Sequence, residues 1–151
     1  MKKIINKRAR YDYEILDKFE AGLVLKGVEV KSIKQGNISL KGAYVTLKKT
    51  KKELPEAWLI NAHISKYPPA GKQSYYDPER SRKLLLKKKE INYFIGKKQE
   101  QGLTIIPLSV YTKKGRIKLE IGLGKGKKKH DKRETIKKRD TERKIRRALK
   151  S

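Results

Sequence analysis

His130 and Asp131 stand side by side in the stretch GKGKKKHDKR, residues 124–133. An imidazole beside a carboxylate is a pairing that general acid–base catalysis uses, the carboxylate fixing the ring's tautomer. That chemistry also needs a nucleophile within hydrogen-bond reach of the ring. The sequence offers none nearby, and the same ten residues hold six basic side chains. A segment with almost nothing apolar cannot preorganise a catalytic site. The other histidine, His63, falls in an alternating apolar run and reads as structural. The carboxylates form no cluster that would hold Mg²⁺, and the absence of cysteine leaves a zinc site without thiolate ligands. These residues point away from catalysis, metals and cofactors.

A different chemistry fits better. The stretch YPPAGKQSYYDPERSRK, residues 67–83, interleaves Tyr67, Tyr75 and Tyr76 with Lys72, Arg80, Arg82 and Lys83. Aromatic rings stack on bases, and guanidinium groups hold phosphates. The plainer reading is a polar loop whose tyrosines cover the body, and the overall charge favours RNA over it. In FEAG, residues 19–22, Glu20 is either a surface turn residue or an acceptor for base N–H edges, which a lysine cannot be. GLGKGKKK, residues 122–129, matches neither a phosphate-binding loop nor a dinucleotide fingerprint. It reads as a flexible exit hinge.

The charge distribution carries the same message. The 151 residues have a net charge of +26 and a pI near 10.2. Beyond Gly124, 27 residues hold 14 Lys or Arg against 4 Asp or Glu, while the first 124 keep 28 against 12. Both parts call for a polyanionic partner, nucleic acid before an anionic membrane surface. No apolar run approaches the roughly 18 residues of a spanning helix. The start has basic residues but no apolar core of a signal peptide. A cytoplasmic protein is expected, with a body at 1–124 and a tail at 125–151.

The body must supply the elements that position these groups. RIKLEIGL, residues 116–123, puts Ile117, Leu119, Ile121 and Leu123 on one face, a half-buried strand. It pairs with LTIIPLSVY, residues 103–111, through a turn in which Gly115 takes a positive φ. Pro107 belongs at an edge or a bulge. Further strands are expected at residues 11–16, 22–25 and 44–47, and at 57–64 with Trp58, Ile60, Ala62 and Ile64 alternating. KLLLKKKEINYFIG, residues 83–96, reads as a helix with Leu84, Ile91 and Ile95 on one stripe, Leu85 off it and Gly96 just past its end. KGVEVKSIKQG, residues 26–36, reads as a short helix stopped by Gly36. The sum is a mainly β fold with flanking α-helices, a small antiparallel barrel of the OB type. In the tail, Ile136, Ile145, Ala148 and Leu149 are the only apolar residues. Their burial cannot offset the backbone entropy of ordering 27 residues, so the free tail should be disordered. Past Gly126 it has no Gly or Pro, so it can become helical once a partner neutralises its charge.

The ordered series NKRARYDYEI, FEAGLVLKGVEVKSIKQG, DPERSRKLLLKKKEI and GLTIIPLSVYTKKGRIKLEIGLGKGKKKHDKR resembles the small protein B family, the tmRNA-binding proteins of bacterial trans-translation. EVKS, RKLLL and the GKK-x-HDKR pattern are specific in combination, and the match covers nearly the whole chain. The resemblance implies an OB-fold barrel that binds the tRNA-like domain of tmRNA and stands in for the missing anticodon half. It also implies delivery with elongation factor Tu. The tail would enter the empty mRNA channel of a stalled ribosome, at the small-subunit decoding centre, and fold there into a helix.

By the same resemblance, Glu20 matches the family's RNA-contacting glutamate, and Leu85 and Lys87 its other tRNA-like-domain contacts. Lys87 stands where the family usually has His or Asn, and a lysine suits a phosphate better than a base edge. Asp131, Lys132 and Arg133 match the tail motif needed on the ribosome, and His130 a position placed to stack on a decoding-centre base. Lys125, Lys127 and Lys128 lead into that motif. Two other classes compete: a ribosomal protein with a basic extension, and an RNA-processing enzyme.

Overall fold

The computed structural model of this chain describes residues 1–67, 75–100 and 102–150, and of residues 129–131 the backbone alone. The elements run β1 (Ile4–Ile5), α1 (Ala9–Asp12), β2 (Tyr13–Leu23), α2 (Gly27–Lys34), β3 (Ile38–Ser39), β4 (Tyr44–Lys48), β5 (Glu56–Ile60) and β6 (His63–Ile64). They continue with β7 (Arg82–Leu85), α3 (Lys88–Lys98), β8 (Leu103–Lys113), β9 (Arg116–Gly126) and α4 (Lys129–Lys150). The chain is thus mainly β with four helices. The ladders β8–β4, β4–β5, β5–β7, β7–β2, β2–β9 and β9–β8 are all antiparallel, and together they close the sheet into a ring. β1 adds to β8 outside the ring, and β3 pairs with β6 separately.

Period-two patterning makes the core. Ile117, Leu119, Ile121 and Leu123 of β9 are all buried, as their alternation requires. β8 and β9 join at Lys114 and Gly115, which take φ of 52° and 77°, the mirror-image turn that suits a two-residue hairpin. Pro107 sits at a bulge, where the register shifts between Pro107 and Ser109. The proline's missing donor is accommodated there. Gly122 and Gly124 are buried within β9, and a Cβ on either would come within 2.8 Å of Leu108 or Ile106. They are packing positions in a strand, and the hinge reading of this stretch is corrected. β9 pairs Lys125 and Gly126 with Glu14 and Tyr13, so the strand runs two residues past the charge boundary at Gly124.

Four expectations are corrected. Ala57 and Leu59 are the buried residues of β5, so Trp58 and Ile60 face outward; burial then resumes at Ala62 and Ile64. Asn61, with φ of 63°, breaks the strand and reverses the parity. Residues 82–85 form a strand, so Leu84 belongs to β7. In α3 it is Phe94 that is fully buried, packing edge-on to Phe19 at 4.8 Å, and Gly96 lies inside the helix. Tyr11 and Asp12 belong to α1, and β2 begins at Tyr13 and runs unbroken to Leu23.

α2 is a helix, and Gly36 just past it has φ of 85°. The tail is described as the 22-residue helix α4, with every residue from Ile136 to Lys150 exposed. Its Lys, Arg and Glu content, with no Gly or Pro, favours that conformation locally.

Candidate nucleic-acid interface

β2 and β7 run antiparallel with Gly22 opposite Leu85. Glu20 lies two residues before Gly22, so alternation brings Glu20 and Leu85 to the same outer surface. Leu85 is 55% exposed although its neighbour Leu84 is buried. Lys87 follows as the residue that opens α3, its backbone N–H donating to Glu90 Oε1 at 2.9 Å. Glu20, Leu85 and Lys87 thereby line one open cleft of about 470 Å³, together with Gly22, Leu86, Glu90 and Lys118.

Glu20 is set up as an acceptor. Its Oε2 receives a hydrogen bond from the Tyr111 hydroxyl at 2.5 Å and lies 3.5 Å from Lys113 Nζ. The Tyr111 bond, with Lys113 and Lys118 behind it, outweighs desolvation and holds this carboxyl below its ordinary range. The Tyr111 phenol is pushed well up by burial and by Glu20. At neutral pH the carboxylate is charged, and Oε1 has no partner among the described residues. It suits an exocyclic amine or imino N–H of a base. Glu20 sits within a strand, not in a turn.

The arginines behave differently. Arg82 is 0% exposed, because in β7 it shares the inward parity of Leu84. Its Nε donates to Glu29 Oε2 at 2.8 Å and one terminal nitrogen to the Ala62 carbonyl at 2.7 Å. Arg80 ion-pairs with Glu29 Oε1, and the Tyr76 hydroxyl donates to the Ile64 carbonyl at 2.8 Å. Glu29 is itself fully buried. Burial alone would raise its carboxyl, but the Lys26 amide, Arg80 and Arg82 together hold it low. Ser32 completes the knot by donating to the Ser65 carbonyl at 2.6 Å. Arg82 therefore cannot reach a phosphate, and its assignment to RNA is corrected: it clamps α2 to β7. Arg80, 29% exposed at its side chain, is committed to the same carboxylate.

Lys83 is half-buried and pairs with Glu56 at 3.4 Å. Tyr67 carries Lys31 Nζ 5.6 Å from its ring, and Tyr75 is 92% exposed. Lys72 lies outside the described residues. His63 is on the exposed side of β6, with Nδ1 3.7 Å from Glu79 Oε1. The sequence reading missed Glu29 and Tyr111. The spacing from Lys26 to Glu29 was a usable signal, since Glu29 Oε1 accepts the Lys26 amide at 2.8 Å, one half of a capping box. Nothing local signals that Tyr111 meets Glu20, 91 positions away.

At the root of the tail, the Lys127 amide donates to the Asp12 carbonyl at 2.9 Å. Its Nζ reaches the Arg10 carbonyl at 2.6 Å and Thr135 Oγ1 at 2.5 Å. Lys132 Nζ lies 3.6 Å from Asp12 Oδ1 and 5.4 Å from the centre of the Tyr11 ring. Lys125, Lys128 and Arg133 are exposed. The side chains of His130 and Asp131 lie outside the described residues. The structure thus groups Glu20, Leu85 and Lys87 in one place and Lys127 and Lys132 in another. Among the described residues no three His, Cys, Asp or Glu side chains are placed to hold a metal, and no helix is long and apolar enough to cross a membrane.

Comparison with known proteins gives a consistent result. A family model described as SmpB protein matches residues 3–151. The SsrA-binding protein of Trichormus variabilis is 51% identical over 146 residues, covering 97% of this chain and 91% of that one. The SsrA-binding protein of Coxiella burnetii (strain Dugway 5J108-111) is 52% identical over 147 residues, covering 97% and 89%. A solved structure described as "tmRNA-SmpB: a journey to the center of the bacterial ribosome" contains a chain that superposes with a TM-score of 0.65 at 38% identity. That match covers 89% of this chain and 94% of the other.

Proposed function

This chain belongs to the SmpB family, and we propose that it acts as an RNA-binding adaptor of ribosome rescue. It binds the tRNA-like domain of tmRNA and delivers that RNA to stalled ribosomes for trans-translation. The observation that carries the reading at the level of residues is the cleft shared by Glu20, Leu85 and Lys87. Side chains from two stretches far apart in sequence offer an acceptor, an apolar contact and a cation within one site. A base edge, a sugar or base face and a phosphate are the matching groups on RNA.

In this reading the closed ring of strands is an OB-type barrel, the body at 1–124 holds the RNA, and the tail at 125–151 works on the ribosome. Free in solution the tail is disordered. In the mRNA channel the phosphates neutralise its lysines and arginines, and the helix spans about 33 Å at 1.5 Å per residue. Lys125, Lys127, Lys128, Lys132 and Arg133 supply charge at its root, and His130 and Asp131 reach the decoding centre. Elongation factor Tu accompanies delivery, and the protein works in the cytoplasm. It has no catalytic step of its own.

The test is filter binding of the purified protein to the tRNA-like domain, alongside a variant with Glu20→Ala. Tight binding that Glu20→Ala weakens supports the reading. A wild-type affinity no better than for an unrelated RNA of equal length overturns it.

A further inference from the structure

We propose that Trp58 is a stacking platform for an unpaired base of the bound RNA, on a face of the body continuous with the Glu20–Leu85 cleft. The inference rests on the RNA-binding reading and adds to it a contact site that the matched motifs do not contain.

Trp58 is the chain's only tryptophan. Its neighbours Ala57 and Leu59 are buried, so it stands on the outer side of β5, where it is half-buried. Its cross-strand partners are Thr46 on β4 and Lys83 on β7, one small and one cationic, neither a bulky apolar lid. The group over the ring is Lys48, with Nζ 5.0 Å from the ring centre. Lys48 is exposed and has no carboxylate partner among the described residues.

An exposed lysine over an indole is easily displaced. A base can take the ring face, while the ammonium moves to the adjoining phosphate. Sheet-borne aromatics flanked by cations are the usual device for holding single-stranded nucleic acid. Lys83 and Leu85 alternate on the outer side of β7, with Lys83 opposite Trp58. Leu85 is two residues on, about 7 Å along the strand. One RNA segment can therefore touch Trp58, Lys83 and the cleft without a gap.

Because no other tryptophan is present, its emission reports on this face alone. The full chain is titrated with the tRNA-like domain while emission and acrylamide quenching are followed. Affinities of the wild type, Trp58→Phe and Trp58→Leu are measured in parallel by filter binding at one salt concentration. Binding should quench Trp58 and shield it from acrylamide. Trp58→Leu, which keeps an apolar side chain but loses the ring, should weaken binding at least about fivefold. Trp58→Phe should retain most of the affinity. Thermal melts show whether the variants fold, and the wild-type emission decides if Trp58→Leu does not.

If RNA binds the wild type with emission and acrylamide access unchanged, the proposal is overturned while the RNA-binding reading stands. The same holds if a folded Trp58→Leu binds as well as the wild type. Equal quenching by poly-glutamate makes the face a general polyanion surface and also overturns it. Failure of the RNA to bind at all removes the reading and this inference together.

Discussion

Gly22 and Leu85 face each other across β2 and β7, and a Cβ at Gly22 would stand 3.3 Å from Leu85 Cβ. The glycine leaves the space in which the exposed leucine rests. Gly22→Ala should push Leu85 by a few tenths of an ångström and weaken RNA binding while the barrel stays folded. Leu85→Ala should weaken binding more, with an unchanged melting temperature, because the side chain is mostly in solvent. Leu119→Ala is the contrast: a cavity at a fully buried site should cost about 2–5 kcal/mol. Paired melts and filter-binding curves separate the cases. Equal destabilisation by Leu85→Ala and Leu119→Ala would place Leu85 in the core and remove it from the interface.

The buried Glu29 predicts a pH dependence. Its carboxyl is held below the ordinary value, so it favours folding above about pH 4.3, the unfolded value. That stability is lost as the pH falls through the lower, folded value. Glu29→Gln should leave Arg82 as an uncompensated buried charge and cost about 3–5 kcal/mol. Below pH 4.3 the variant's stability should fall less steeply than the wild type's. Urea midpoints measured from pH 3 to pH 7 check this, and parallel curves for the two proteins would contradict it.

Salt should dominate the affinity for RNA. With 6–10 phosphate contacts from a body this basic, binding to the tRNA-like domain should weaken about 10³–10⁵-fold between 50 and 200 mM salt. Glu20→Ala should lower affinity with little change in that slope, since a carboxylate releases no counterion from RNA. A nearly salt-independent affinity would rule out the electrostatic account.

Removing the tail should separate binding from rescue. A chain ending at Gly126 keeps all of β9 but loses the Lys127 bonds to the Asp12 and Arg10 carbonyls and the Lys132–Asp12 pair, so its stability should drop by about 1–3 kcal/mol while the ring of strands stays folded. It should keep most of its affinity for the tRNA-like domain. Peptide-bond transfer to alanyl-tmRNA on ribosomes stalled without a codon should be lost. Replacing Asp131, Lys132 and Arg133 by alanine should have the same effect, and alanine does not weaken helix propensity. Full transfer by the shortened chain would reduce the tail to a solvated charge run.

β9 was legible because its alternation is uninterrupted, and Glu20 and Leu85 were singled out because they lie in contiguous motifs. Arg82 was misread for a physical reason. Beside tyrosines and lysines it looks like a phosphate ligand, but strand parity puts it inward with Leu84, and its carboxylate partner is 53 positions away. The same parity hid in residues 57–64, where one positive-φ asparagine exchanges inside for outside. Gly122 and Gly124 looked mobile because the side chains that fill their space, from Leu108 and Ile106, belong to another strand. For Arg82 and the two glycines the deciding contact comes from another element of the chain, and for residues 57–64 it is one backbone angle.

The ring of strands also has a weakest seam. β8 and β9 pair along almost their whole length, whereas β4 meets β8 at the single bridge from Val45 to Ile105. A closed sheet breathes where its ladder is shortest. Amide exchange should therefore be fastest along β4–β8 and slowest in the β8–β9 hairpin. β2 and β7, which carry Glu20 and Leu85, adjoin neither side of that seam. The ring can open at one place while the strands that carry Glu20 and Leu85 stay in register at another.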